Sequence, residues 1–496
     1  MKARAEKHSF QTLTIAAVFI LSGAIETFAQ LGARNGEWRS FGGDPGNTKY
    51  TPLDQINRDN FQDLEVAFTW DSISTKALED KPRIRALGFQ ATPLMLGGML
   101  YVSTSISQVA AIDAGSGETV WKYDPKSYER LDRPANSGWH HRGVAYWDDG
   151  TDARIIMATH DLRLMALDAK TGALYPDFGE DGIVDLSTSL GKPVTGRIIT
   201  HNSPVAICRD TIVIGHVVAD GVTVKEGAPG HIRGFDVRTG AMKWIFHTIP
   251  QEGEFGNDTW ENGSWKYTGA ANVWTQMGVD NELGYAYLST GTPTNDPYGG
   301  LRLGDGLFGE SIVCVNVKTG ERVWHFQAVH HGLWDYDFPS AVNLMDITVD
   351  GREIKTVAQI SKQGFTYVLD RATGEPVWPI EEREVPQSTV PGERTSKTQP
   401  FPTKPPAYER QGITEDDLID FTPKLRAEAL EIFEGYAPSS LFTPPNLKGS
   451  KPVISMPGWG GGANWSGAAV DPETSRLYVP SYTLPSSFTI GKPDPN

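Results

Sequence analysis

Cys314-Val-Asn-Val-Lys-Thr-Gly-Glu-Arg-Val-Trp324 is the stretch that decides how this chain folds. An apolar run reaches Asn316, the Lys-Thr-Gly that follows reads as a turn, and a second extended run ends on Trp324. The Asn side chain can bond the turn backbone, and Gly320 accepts the positive φ that such a turn requires. The phrase returns as A-I-D-A-G-S-G-E-T-V-W (Ala111–Trp121), G-F-D-V-R-T-G-A-M-K-W (Gly234–Trp244) and V-L-D-R-A-T-G-E-P-V-W (Val368–Trp378). A weaker copy at Ala166–Tyr175 lacks the Trp, and another at Ala469–Tyr478 has Ser475 in place of the Gly.

Each copy reads strand, turn, strand, and a Trp at a fixed place after each hairpin can pack between neighbouring units. The expected fold is an all-β propeller with about six recognisable four-stranded blades. The turn glycines, at 117, 172, 240, 320 and 374, lie about 55 to 80 residues apart, more than a blade needs. The excess falls in loops, and long loops on a rigid propeller carry the site. A helix is predicted over Thr414–Phe433, after a proline-rich arm at Pro400–Pro406.

Composition agrees with this reading. The chain has 496 residues, of which 14 are Trp and 52 are Gly, a balance suited to turns and blade interfaces. The formal charge of −16 and the lack of a Lys/Arg run exclude a nucleic-acid binder. Residues 1–29 read as a secretory signal: Lys2, Arg4 and Lys7, an apolar run Thr12–Ile25, and small residues at Thr27-Phe28-Ala29. An uncleaved anchor is the alternative. Cys208 and Cys314 sit in no CxxC or CxxCH pattern, so covalent c-type haem is excluded. Two buried thiols are expected rather than a disulfide.

The repeated phrase resembles the tryptophan-docking motif of the quinoprotein dehydrogenases, A-x-D-x-x-T-G-x-x-x-W. The resemblance runs from about Trp38 onward. It is nearest the glucose, quinate and polyol branch, in His330-His-Gly-Leu-Trp-Asp335 and Gly364–Thr373. It implies pyrroloquinoline quinone, Ca²⁺ or Mg²⁺, and oxidation of a sugar, polyol or other alcohol. The signal-like segment implies a periplasmic location, and the resemblance an electron acceptor that is a membrane quinone or, failing that, a soluble cytochrome. The family has eight blades, so residues 30–496 are expected to form a propeller whose C-terminal blades are missing.

Carried over residue by residue, the resemblance makes Asp335 the catalytic base, with Asp337 its local competitor. Lys362 falls over the quinone oxygens. Asp220, Thr294 and Asp335 fall on the metal, with Asn295 and Asp296 as nearby alternates; oxygen donors suit these cations. Trp274 becomes the floor under the quinone ring, although Trp260 and Trp265 lie close. Arg142 pairs with a cofactor carboxylate, and one of His140 and His141 covers the other face, a transition-metal pair being the alternative. Asn464 and Trp465 resemble another cofactor-contact loop. Two departures stand out: Gly332 where the family commonly has Asp, and His201-Asn-Ser-Pro204 where it has Thr-Ser-Pro-Pro.

The repeat alone does not make an enzyme, since scaffold propellers share it. The outer-membrane assembly lipoproteins that do so need a lipidated Cys after the signal, and the first Cys here is Cys208. A decayed enzyme acting as a binding protein is the other alternative.

Overall fold

The turn phrase folds through its own side chains. Asp113 Oδ1 accepts the backbone N–H of Gly115 at 3.0 Å and of Ser116 at 2.8 Å, and Asn316 Oδ1 accepts that of Lys318 at 2.9 Å. Gly117, Gly172, Gly320 and Gly374 close their turns with φ between +73° and +78°. The computed structural model describes residues 32–136, 138–220 and 224–491; the predicted signal segment lies outside them.

Four blades are four-stranded antiparallel meanders in chain order. The first runs from Leu94–Leu96 to Thr119–Tyr123 and the second from Ala145–Asp148 to Ile183–Asp185. The third runs from Ala206–Cys208 to Met242–Phe246 and the fourth from Gly278–Asp280 to Arg322–Gln327. The expectation of six four-stranded blades is corrected beyond that point. The fifth has three strands, Asn343–Val349, Arg352–Ile360 and Thr366–Asp370, and the sixth is one ladder, Ala469–Asp471 with Arg476–Tyr478. The missing fourth strand of blade five has a physical cause. After its turn the chain reads Glu375-Pro-Val-Trp-Pro379, and proline gives a ladder no N–H; a single bridge, Leu369 to Pro376, is all that forms.

Tryptophans dock the blades. Trp121 Nε1 donates to Ala169 O of the second blade at 3.0 Å, Trp244 Nε1 to Val317 O of the fourth at 2.7 Å, and Trp324 Nε1 to Arg371 O of the fifth at 3.2 Å. Each indole lies on the turn glycine of the next blade: a Cβ on Gly172, Gly320 or Gly374 would fall 2.5–2.6 Å from that ring. Gly240 receives Val184 and Phe178 instead, because the second copy has no Trp. Trp378 does not share the position. It lies outside the strands, half-buried against the cluster of Met345, Ala358, Val368 and Val470.

The segment 38–48 touches the inner edges of several blades. Trp38 pairs with Met95, and the carbonyls of Pro45, Gly46 and Thr48 accept the N–H groups of Val279, Leu344 and Val470. The Asn343 amide donates to Asn47 O at 2.6 Å and to Ala468 O at 3.0 Å.

The expected helix over Thr414–Phe433 is two pieces. Glu415–Asp417 is a 3₁₀ turn with a Thr414/Asp417 capping box. The helix proper is Pro423–Phe433, capped by Thr422 Oγ1. Pro423 sits at the first helical position, where its missing N–H costs nothing; inside one continuous helix it would break the ladder. The proline-rich arm is also corrected: Thr398–Pro402 is a strand, paired with Ile380–Glu384. Among the described residues no helix is long and apolar enough to cross a membrane. Cys208 and Cys314 are free and buried.

Candidate active site

Trp334-Asp-Tyr-Asp-Phe338 alternates aromatic and acid, and the two sets part company. Trp334, Tyr336 and Phe338 are buried in the core cluster with Leu441 and Phe442. Trp334 Nε1 donates to Thr443 O at 2.9 Å and the Tyr336 hydroxyl to Pro457 O at 2.9 Å. The acids meet Lys362 instead, whose Nζ is 2.9 Å from Asp335 Oδ1 and 3.3 Å from Asp337 Oδ2. Asp335 has φ +57°, a conformation costing an L-residue about 1–2 kcal/mol. The anchored aromatics on either side hold it there.

The two aspartates are not equivalent. Asp337 Oδ1 accepts the N–H of Thr292 at 2.6 Å and its hydroxyl at 3.1 Å, while Oδ2 accepts Trp274 Nε1 at 2.9 Å as well as Lys362. Its acceptor capacity is used. Asp335 bonds only Lys362 among the described residues, and a quarter of its side chain is exposed. Burial drives its carboxyl well above the usual carboxylate range; Lys362 opposes this, and Asp337 and Asp296 add to it. For Lys362 burial works against the charge, but Asp335 and Asp337 outweigh it and hold the ammonium protonated. The lysine stem is held from behind. A Cβ on Gly461 would lie 2.6 Å from Lys362 Cγ, and Gly462 N donates to Lys362 O at 2.9 Å.

Above Trp274 the cations gather. Lys362 Nζ lies 6.0 Å from its ring centre, and the Arg142 guanidinium 5.7 Å from it and 4.7 Å from that of Trp465. Arg142 is aimed by Asn202 Oδ1 at 3.0 Å and Ser203 Oγ at 2.8 Å. In the sequence these two residues stand out only as a departure from the family pattern. His140 accepts from Asn202 Nδ2 at 2.7 Å, and burial, with Arg142 adding, lowers it to about 4, so it is neutral. His141 has both nitrogens engaged, with Ser103 Oγ at 2.9 Å and Ala158 O at 3.0 Å. Asn464 bonds within its own loop, to Gly460 O and Trp465 N. Trp260 donates to Leu307 O at 2.6 Å and packs with Ile249, Ala271 and Trp265.

The acids expected on the metal crowd the same centre. Burial and the charge of Asp337 raise Asp220, with Lys362 opposing. Burial, Asp337 and Asp220 raise Asp296 to about 7. Thr294 stands apart from the Asp337 bonds: its hydroxyl lies 2.7 Å from where a Gly227 Cβ would be, and Thr292 supplies the hydroxyl that meets Asp337. Among the described residues no three His, Cys, Asp or Glu side chains are grouped to hold a metal ion. That also leaves the paired histidines without a transition-metal set. Thr292, Arg302 and Glu310, all buried beside this centre, were missed. A lone acid at the head of the apolar strand Ser311–Asn316 was the one available signal for Glu310.

Comparison with known proteins agrees with this architecture. The chain is 32% identical over 462 residues to the glycerol dehydrogenase large subunit of Gluconobacter oxydans (strain 621H), covering 89% of this chain and 59% of that one. It is 30% identical over 493 residues to quinoprotein glucose dehydrogenase A of Acinetobacter calcoaceticus, covering 94% and 59%. The solved quinohemoprotein alcohol dehydrogenase of Comamonas testosteroni superposes with a TM-score of 0.67 at 26% identity, over 93% of this chain and 60% of that one. The chain thus spans about three fifths of the length of these relatives. Residues 38–495 match the PQQ family described as "Glucose/ethanol/alcohol dehydrogenase, beta-propeller domain". Matched over nearly its whole length by that family model, the chain belongs to the PQQ-dependent dehydrogenase family.

Proposed function

We propose that this chain oxidises a hydroxyl group of a sugar, polyol or other alcohol, with Asp335 as the base. The observation that carries the reading is the unequal pair. Asp337 is saturated by four donors, whereas Asp335 offers an oxygen that bonds no described residue and is partly exposed. Pyrroloquinoline quinone, when bound, supplies the two-electron acceptor for the hydride, and Ca²⁺ or Mg²⁺ supplies the charge that polarises it.

The residues present fit both groups. Trp274 offers a flat apolar face, and two buried cations, Arg142 and Lys362, suit the carboxylates and oxygens of an anionic quinone. Arg142 Nε is buried without a partner. Asp220, Asp296, Asp335 and Asp337 share one lysine, an imbalance that a divalent cation would relieve; Asp220, Thr294 and Asp335 are its ligands in this reading. Lys362 stabilises negative charge developing above Trp274, and Asp335 takes the substrate's hydroxyl proton. The location would be periplasmic. The electron acceptor would be a membrane quinone, with a soluble cytochrome as the alternative that an acceptor panel separates.

The test uses full-length protein reconstituted with quinone and Ca²⁺, an artificial electron acceptor and a panel of sugars, polyols and alcohols. Asp335→Asn keeps the size and an oxygen but not the base, so turnover should fall about 10²–10⁴-fold while quinone affinity holds. Wild-type turnover in that variant would remove Asp335 from the role, and wild-type protein that binds no quinone would sink the whole reading.

A further inference from the structure

Gly332 leaves no room for a side chain. A Cβ there would lie 1.6 Å from Glu310 Oε2, so the Glu310 carboxyl already fills that space. Gly332 is not among the residues with positive φ, so the conflict is purely steric. Glu310 stands at the head of the third strand of blade four and is 1% exposed. Its Oε1 lies 2.9 Å from Thr292 Oγ1, which lies 3.1 Å from Asp337 Oδ1. Its Oε2 is buried with no partner.

The charged groups facing Glu310 are Asp337, Arg302 and Asp296. Arg302 donates to the carbonyls of Gly332 at 2.6 Å and Asn295 at 3.1 Å rather than to Glu310. The neighbouring His331 is committed to Glu393 at 2.5 Å.

A count of protons decides what Glu310 does. The Thr292 hydroxyl has one proton and stands between two carboxyl groups. If both were ionised, one contact would set two acceptors against each other. Asp337 already accepts from Thr292 N, Trp274 Nε1 and Lys362 Nζ, so toward it the Thr292 hydroxyl is the donor. The chain is complete when Glu310 carries its own proton and donates it to Thr292 Oγ1, which then donates to Asp337 Oδ1. Burial, with the charge of Asp337 adding to it, pushes the Glu310 carboxyl up to about 8, in the direction this count requires.

We propose that Glu310 is a positioning residue: held as a neutral acid in the space left by Gly332, it fixes Asp337 through the Thr292 hydroxyl, and Asp337 in turn holds Lys362 and Trp274. The proposal rests on the function read above and names a further residue that tunes the same site. Its first measurement needs no cofactor. Its readout is a difference spectrum: infrared spectra of the apo full-length chain at neutral pH, wild type minus Glu310→Gln, should leave the C=O stretch of one buried carboxylic acid over whatever Asp335 and Asp296 contribute to both.

The second measurement is kinetic. Gln can donate to Thr292 in the acid's place, so Glu310→Gln should keep turnover within about three-fold, while Glu310→Ala should lower kcat about 10–100-fold with KM little changed. The double change Glu310→Ala/Gly332→Asp returns a carboxyl from the other side and should recover most of that loss. Thermal unfolding of each variant shows that it is folded.

A wild-type minus Glu310→Gln spectrum with no carboxylic-acid band, an unchanged kcat in Glu310→Ala, or a double variant no better than Glu310→Ala would each overturn the proposal. If wild-type protein binds quinone but oxidises nothing, the proposed function falls, whereas the infrared band still judges Glu310.

Discussion

The blade seams and the acidic centre are built by opposite rules. At the seam between blades three and four, one indole lies on one glycine and gives its N–H to one carbonyl, and the same arrangement recurs at two other seams. At the centre no contact repeats. Asp335 and Asp337 share one stretch, Lys362, Trp274 and Arg142 come from three others, and together they crowd like charges that burial makes costly. The seams gain stability from apolar burial. The centre holds unfavourable charge in place by means of that stability, a division common at functional sites.

The sharpest way to break the comparison is at a docked seam. Trp244→Ala removes the indole and leaves a cavity, and should cost about 3–5 kcal/mol in denaturant unfolding. Gly320→Ala attacks the same seam from the other side. Its φ is +75° and its Cβ would fall 2.6 Å from the Trp244 ring, so a loss of about 2–4 kcal/mol is expected.

A change at the centre should act through pH instead. Glu310 has a folded pKa of about 8 against an ordinary value of 4.5. Its raised pKa favours the folded state fully below about 4.5, and that contribution is lost as pH rises through about 8. Glu310→Gln should therefore flatten the fall in Tm between those limits, and an unchanged slope would count against a neutral Glu310. The smallest effect is expected at Trp378, half-buried and off its strand: Trp378→Ala should cost about 1 kcal/mol or less. A loss as large as that of Trp244→Ala would erase the distinction between docked and undocked repeats.

What could be read beforehand follows the same division. The seams were legible because each states its rule several times over, as an Asp or Asn, a Gly and a Trp at constant spacing. Where the rule lapsed, local chemistry showed it. Ser475 stands for Gly, and prolines 376 and 379 end the fifth blade early. Pro423, similarly, divides what had read as one helix. At the centre, Asp335, Lys362, Trp274 and Arg142 came from resemblance rather than pattern, and the structure brings them together. Thr292 lay beyond reach, and Glu310, Asn202 and Ser203 showed only as a lone acid and a departure, since their roles depend on which strands lie side by side. Asp337 was visible only as a rival to Asp335, because saturation of a carboxylate is a property of its neighbours.

The Asn343 amide has a consequence in time rather than in energy. It binds the carbonyl of Asn47, 296 residues earlier, and that of Ala468, 125 residues later. The chain between Asn47 and Asn343 contains the first four blades, each able to form from near neighbours. Entropy for closing so long a loop grows only as the logarithm of its length, so the bond itself is affordable. Contacts this distant slow folding, however, because they give nothing back until what lies between has condensed. The segment 38–48 would then be gripped late, after the blades it touches, and replacing Asn343 should delay the end of refolding more than its beginning.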